Sequence, residues 1–275
     1  RTIEGRKFRA GKWEFPDSAI TKLQQYGLID ANIKIPKKEI VHYELSPHLR
    51  KYQKDIVNKA LNEGSYGIFA DTGTGKTLMG LEIAKHYGKT LILCPLSVIE
   101  TAWVDDCKKF YPELEITNCW ATSSKKRFDA IDIDSDVYVM NYESFKILKK
   151  KILAMNFQCV IVDESQVMKN MGAQITNELL QLIDVIPHRF VLSGTPTPNH
   201  NSEIFPQMKF VDADIFGNNF FGFQAHYFTQ DMQNPHRWYQ TQENKEAYFN
   251  RLREKSVFLK KEDYLHLRQD RQANG

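Results

Sequence analysis

Two sets of residues in this chain can act on a phosphate, and they stand about 90 residues apart. The first is Ala70-Asp71-Thr72-Gly73-Thr74-Gly75-Lys76-Thr77, directly after the apolar run "YGIF". It follows the phosphate-cradling pattern GxxxxGK[ST], except that alanine takes the place of the first glycine. Gly73 and Gly75 permit backbone N–H groups to close on phosphate oxygens, and the helix that follows aims its N-terminus at the same anion. Lys76 is then expected to reach the β- and γ-phosphates and the Thr77 hydroxyl to hold Mg²⁺. The second set ends the apolar run in "CVIVDESQ": Asp163 to hold Mg²⁺ through water, Glu164 to orient or deprotonate an attacking water. Each alone has an ordinary explanation, a strand-to-helix turn in one case and two surface carboxylates in the other. In this order they are two halves of one magnesium-nucleotide site, so ATP and Mg²⁺ are the expected ligands.

Such a site needs a parallel sheet to bring its halves together, and the pattern supplies one. Apolar runs of strand length recur as "YGIFA", "TLILC", "VYVMN", "CVIVD" and "RFVLS", separated by helical patterns such as "KTLMGLEIAKHY" and "ITNELLQLI". Continuous apolar strands alternating with amphipathic helices predict an α/β core whose sheet is covered on both faces. Ahead of it, "RKFRAGKWEF" predicts a small hairpin around Ala10-Gly11, and the stretch from Asp17 or Ser18 to Gly27 predicts one helix. A boundary is placed near residue 44, with a new helix starting near Pro47. After Asn199 the pattern becomes aromatic and largely helical, with no further strand-turn-helix unit expected. The divisions are therefore 1–44, a small accessory module; 45–200, the nucleotide-binding domain; and 201–275, a helical extension.

Composition limits the remaining classes. The 275 residues are 42% apolar, enough for one large core or two unequal ones, and no run approaches a membrane span. The start at Arg1 lacks the apolar stretch of a signal peptide and reads as a trimmed chain. Cys94, Cys107, Cys119 and Cys159 show no CxxC spacing and are expected as small core residues in a reducing compartment. The net charge of +3 does not itself define a polyanion partner. The eight histidines form no ligand-like set, so zinc is not expected. Phe216, Phe220, Phe221, Phe223, Tyr227 and Phe228 have spacing that suits helix packing better than base stacking, and Trp103 is likewise read as core. Lys260 and Lys261 are read either as phosphate contacts or as a solvated pair.

The motifs resemble those of the helicase superfamily 2 ATPases, and within them the Swi/Snf-type DNA translocases, over about 215 residues from Leu49 to Asp263. "LRKYQKDIV" resembles the family's entry motif, in which the glutamine, here Gln53, reads adenine. "DTGTGKT" is similar to motif I. "LILCPLSVIETAW" and "VYVMNYESF" resemble motifs Ia and Ib, which implies nucleic-acid contacts by Pro95, Ser97, Asn141 and Tyr142. "IVDESQVMKN" resembles motif II, with Gln166 where the family has histidine, and "RFVLSGTPTPNH" resembles motif III, which implies a coupling role for Ser193, Gly194 and Thr195. The Lys169-Asn170 pair, "SGTPTPN" and "VFLKKEDYL" mark the subfamily. "FPQMKFVDADIFGNNFFGF" is similar to its helical protrusion, and the first 45 residues are weakly similar to the accessory module of HepA-related annealing helicases, which helps engage forked DNA.

The resemblance implies a RecA-like first lobe that binds Mg-ATP and moves on duplex DNA, in a compartment with access to DNA: a prokaryotic or virus-infected cytoplasm, or a nucleus. It also implies a second RecA-like lobe in the parent chain, whose closure brings arginines to the γ-phosphate. The sequence in hand looks like a motor cut before that lobe, so weak ATP binding and poor hydrolysis are expected of it alone. A non-hydrolysing docking module on the same scaffold, an RNA helicase lobe and a P-loop kinase are the alternatives. The complete set Lys76, Thr77, Asp163 and Glu164 weighs against the first, the "SGTPTPN" wording against the second, and the lack of a lid against the third.

Overall fold

The computed structural model describes residues 7–9, 12–14, 39–234 and 237–262. The predicted hairpin is present: β1 (Lys7–Arg9) pairs antiparallel with β2 (Lys12–Glu14). The helix expected between Asp17 and Gly27 lies outside the described residues.

The helix predicted near Pro47 begins later, as α1 (Lys51–Glu63). Its start is fixed by Gln53, whose side-chain oxygen accepts from the Arg50 N–H at 2.7 Å and so caps the first turn. It stops at Gly64, which is left-handed at φ 73°. The apolar run β3 (Tyr66–Ala70) follows, buried along its length, and leads through the glycine-spaced loop into α2 (Lys76–Tyr87). β4 (Thr90–Leu93) then gives way to a 3₁₀ turn at Leu96–Val98, a π-helical turn at Ile99–Val104 and α3 (Asp105–Phe110). A short strand not anticipated from the sequence, β5 (Ile116–Asn118), precedes α4 (Ser124–Ile131). The remainder of the core alternates regularly: β6 (Val137–Met140), α5 (Tyr142–Ala154), β7 (Cys159–Asp163), α6 (Gln174–Leu180) and β8 (His188–Ser193).

Beyond residue 200 come α7 (Ile204–Val211), α8 (Phe220–Tyr227), the short pair β9 (Thr229–Gln230) and β10 (Trp238–Tyr239), and α9 (Gln242–Arg253). The segment is not purely helical. Its last described strand, β11 (Ser256–Leu259), returns to the main sheet and pairs parallel with β3. The sequence conceals this strand because "SVFL" is short, runs into lysines, and stands at a sheet edge with Phe258 exposed. The C-terminal extension is thus tied into the nucleotide-binding domain by this strand.

The sheet has seven strands in the order β11-β3-β8-β7-β4-β6-β5, all parallel. One apolar layer, with Trp103, Ile68 and Leu81, covers one face, and a second, with Phe145, Phe205 and Phe210, covers the other. All four cysteines are free and buried, as read from the sequence. The aromatic run also behaves as core: Phe216, Phe223 and Phe228 are buried and meet Tyr248, whereas Phe221 points out at 77% exposure. Arg189 bolts β8 to α7 by donating from Nε to the Phe210 carbonyl at 2.7 Å and from Nη2 to the Val211 carbonyl at 3.1 Å. Among the described residues no helix is long and apolar enough to cross a membrane.

Candidate active site

Because every strand of the sheet runs the same way, the loops that leave β3, β8, β7, β4 and β6 emerge along one edge. These are the segments holding Lys76, Ser193, Asp163, Pro95 and Asn141, in that order across the sheet. Residues scattered over about 120 positions of sequence therefore line one crevice.

The loop after β3 has the backbone of a phosphate cradle. Gly73 and Gly75 are left-handed, with φ of 85° and 82°, and Gly75 caps α2. The loop is braced internally by Thr74, whose hydroxyl donates to the Asp71 carbonyl at 2.7 Å. From outside, Tyr52 Oη and Gln53 Nε2 each donate to the Thr74 carbonyl at 2.9 Å. Asp71 is joined to the edge strand: its N–H donates to the Leu259 carbonyl at 3.0 Å and its carboxylate accepts from the Lys261 N–H at 2.8 Å. Lys76 folds back over the loop and donates to the Ala70 carbonyl at 2.7 Å. Thr72 is exposed and Thr77 half-buried on the first turn of α2.

Opposite this loop, Asp163 ends β7 nearly buried, at 8% exposure. Burial is the main cause that pushes its carboxyl up to about 6, and the neighbouring Glu164 charge adds to it; the Trp103 hydrogen bond, the Glu164 N–H and the Lys76 charge pull the other way. Glu164 is left-handed at φ 51°, the one non-glycine residue with positive φ among the described residues. That conformation turns the chain sharply and sets its carboxylate toward Gln166, which donates from Nε2 to Glu164 Oε2 at 2.9 Å. The Gln166 oxygen accepts from the Ser193 hydroxyl at 2.6 Å, and Ser193 Oγ accepts from the Thr195 N–H at 3.0 Å. An amide thus joins the acidic turn to the loop after β8, at the position where the resembled family has histidine. Gly194 lies beside the cradle, since a Cβ there would lie 3.6 Å from the Ala70 carbonyl and 3.7 Å from Lys76 Nζ.

Two residues read differently once placed. Trp103 is core, as expected, but its Nε1 also donates to Asp163 Oδ2 at 3.1 Å. It reaches there over Gly80 in mid-α2, where a Cβ would come within 2.6 Å of the indole. That close approach accounts for a glycine that otherwise weakens a helix by about 1 kcal/mol. Tyr142, expected to face nucleic acid, instead turns its hydroxyl inward, donating to the backbone carbonyls of Asp163 and of Leu93. The Asn141 side chain caps α5 by accepting from the Ser144 N–H at 3.0 Å. Both side chains shape the site from behind; of the four residues assigned to nucleic acid, Ser97 is exposed and Pro95 half-buried. Gln53 is similarly occupied, spending its oxygen on the helix cap and its amide on Thr74, so adenine would have to displace or share these bonds. No sequence signal distinguishes these cases, because an indole or phenol in an apolar run reads as core whichever polar atom it carries.

A glycine-spaced cradle, a lysine and an acidic turn on the carboxyl edge of a parallel sheet define a P-loop protein of RecA-like α/β type. Residues 41–261 match the family described as the SNF2-related domain, and the chain belongs to that family. It is 34% identical over 179 residues to a SWI/SNF-related matrix-associated actin-dependent regulator of chromatin subfamily A-like protein 1 homolog of Caenorhabditis elegans, covering 63% of this chain and 26% of that protein. It is 30% identical to the DNA annealing helicase and endonuclease ZRANB3 of Mus musculus, covering 63% of this chain and 17% of that protein. The chain therefore spans about a quarter or less of these relatives. Among solved structures, the fold matches a Sulfolobus solfataricus SWI2/SNF2 ATPase core in complex with dsDNA, with TM-score 0.65 and 20% identity over 81% of this chain and 47% of that one.

Proposed function

We propose that this chain is the ATP-binding lobe of a DNA translocase that couples Mg-ATP hydrolysis to movement on duplex DNA. The observation that carries the reading is the hydrogen-bonded link from Glu164 through Gln166 to Ser193, which ends beside Gly194 and the cradle's lysine. A static scaffold has no need of a buried carboxylate whose charge is disfavoured beside a second carboxylate.

In this reading the loop from Asp71 to Thr77 surrounds the phosphates, with the N–H groups of Thr72, Gly73, Gly75, Lys76 and Thr77 as donors, and Lys76 leaves the Ala70 carbonyl to neutralise the β- and γ-phosphates. Glu164 orients the attacking water and accepts its proton. Gln53 reads adenine, and Ser193, Gly194 and Thr195 pass the state of the site toward the DNA-facing loop at Pro95 and Ser97. Among the described residues no three His, Cys, Asp or Glu side chains cluster to hold a metal by themselves. That suits Mg²⁺, which takes one or two protein ligands alongside substrate phosphates. Asp163 and Thr77 would hold it, and bound there it supplies charge to stabilise the leaving phosphate. The accessory module 1–44, the domain 45–200 and the extension 201–275 would act with a second lobe of the parent protein, in a compartment where DNA is present.

Binding of a fluorescent ATP analogue tests the proposal. Lys76→Ala is expected to weaken it by about tenfold or more, corresponding to the loss of one charge-assisted contact. Equal affinity in the two proteins would sink the assignment and favour a docking module. The Asp163 carboxyl adds a pH test, since a proton and Mg²⁺ compete for its oxygens. Because its pKa is raised to about 6, apparent Mg²⁺ affinity should climb as pH approaches 6 and level off above it. At pH 5 it should be down by about tenfold. Trp103→Phe removes a bond that favours the charged form, so the midpoint, read by titrating Mg²⁺ at each pH, should move upward.

A further inference from the structure

We propose that Gln207, which lies in the "FPQMKF" stretch and has been given no role so far, is a positioning residue that links the acidic turn to the Thr195–Asn199 loop. Through that loop it links the turn to the C-terminal segment. The inference rests on reading the site as an ATPase centre.

Gln207 is on α7 and is fully buried. Around it the helix is apolar, with Ile204, Phe205, Met208, Phe210 and Val211 all buried. An unbranched apolar side chain would fill the same space without the cost of desolvating an amide, so the reason for the amide must lie in its bonds. Its oxygen accepts from the Ser165 hydroxyl at 2.7 Å, and its Nε2 donates to the Pro196 carbonyl at 2.7 Å and the Glu203 carbonyl at 3.1 Å. Ser165 directly follows Glu164, and Pro196 is three residues beyond Ser193. Gln166 therefore holds the near side of the loop and Gln207 the far side, so both ends of the acidic turn are bridged to it by an amide.

Gln207 makes this connection from another helix. α7 continues into the aromatic segment, with the Phe205 ring 5.5 Å from Phe220 and 4.9 Å from Phe223. A shift of Ser165 when a nucleotide draws on Glu164 would be carried through one side chain to the Pro196 carbonyl and to the helix on which Phe220 and Phe223 pack. Buried, fully bonded amides transmit such shifts because breaking either bond leaves a partner unsatisfied.

Hydrogen exchange of this chain with and without the slowly hydrolysed analogue ATPγS and Mg²⁺ tests the link. In the unaltered chain the analogue should protect residues 71–77 and 194–211 by at least about fivefold. Gln207→Met, which keeps the volume, should retain protection at 71–77 with analogue affinity within about threefold, and lose it at 194–211. Ser165→Ala removes the other end of the bridge with a smaller change and should lose the same protection, which keeps the test open if Gln207→Met does not fold. Protection of 194–211 that survives in either folded variant, or protection confined to 71–77 in the unaltered chain, overturns the role given to Gln207. Absence of protection at both places, with no measurable binding, overturns the ATPase reading on which it stands.

Discussion

Glu164→Gln is expected to lower ATP turnover by the protein that carries this lobe by about 10²- to 10⁴-fold, the range for losing a general base. The substitution keeps the shape and removes the charge. Glu164 holds a left-handed backbone at φ 51°, a conformation that costs about 1–2 kcal/mol for an L-residue and persists where the surroundings impose it. The turn places its carboxylate one residue from Asp163 and against the Gln166 amide. An amide at 164 still accepts from Gln166 Nε2, so the bridge to Ser193 should survive. Nucleotide affinity should stay within about threefold, or rise slightly, since one negative charge beside the phosphates is gone. Turnover at saturating duplex DNA, measured beside analogue binding, separates these effects. Turnover within about threefold of the unaltered protein would remove Glu164 from the chemistry and leave it a structural turn residue.

The parts of the site that were legible in the sequence share one property: their chemistry depends on backbone and spacing. The glycines at 73 and 75, the lysine after them and the carboxylates ending an apolar strand are local patterns, and the strands carrying them are apolar on both faces. β5 and β11 escaped because they are short, lie at the two edges of the sheet and are only partly buried. Asn141 and Tyr142 were expected to face nucleic acid because "VYVMNYESF" resembles motif Ib, yet which way a phenol turns is decided by the Asp163 and Leu93 carbonyls, supplied by other strands. The same holds for Trp103, whose bond to Asp163 depends on a π-helical turn and on the gap left by Gly80. Gln207 stands in a helix that reads as apolar packing, and its three partners lie at positions 165, 196 and 203. Long-range polar pairing of this kind has no periodicity by which a single sequence could announce it.

Gly75→Ala is expected to reduce ATP-analogue affinity by about 100-fold or more, whereas Gly73→Ala should cost only about tenfold, and the contrast identifies what Gln53 does. Both glycines are left-handed, so both alanines carry a backbone cost of about 1–2 kcal/mol, near one factor of ten. At Gly73 a Cβ meets no protein atom within 4 Å, so no collision inside the protein adds to that cost. At Gly75 a Cβ collides with Gln53 Nε2. That amide group donates to the Thr74 carbonyl while the same side chain's oxygen caps α1 at Arg50. Displacing Gln53 therefore loosens the cradle and the first turn of α1 together, and each buried hydrogen bond left unmade costs about 1–3 kcal/mol. Pairing Gly75→Ala with Gln53→Ala, which opens the space the methyl needs, should recover part of the thermal stability lost by Gly75→Ala alone, since the two changes share one clash and cannot add. Analogue affinity should not recover with it if Gln53 also contacts adenine. Recovery of both would confine Gln53 to bracing the loop, and equal losses for Gly73→Ala and Gly75→Ala would show that the collision with Gln53 is relieved at no cost.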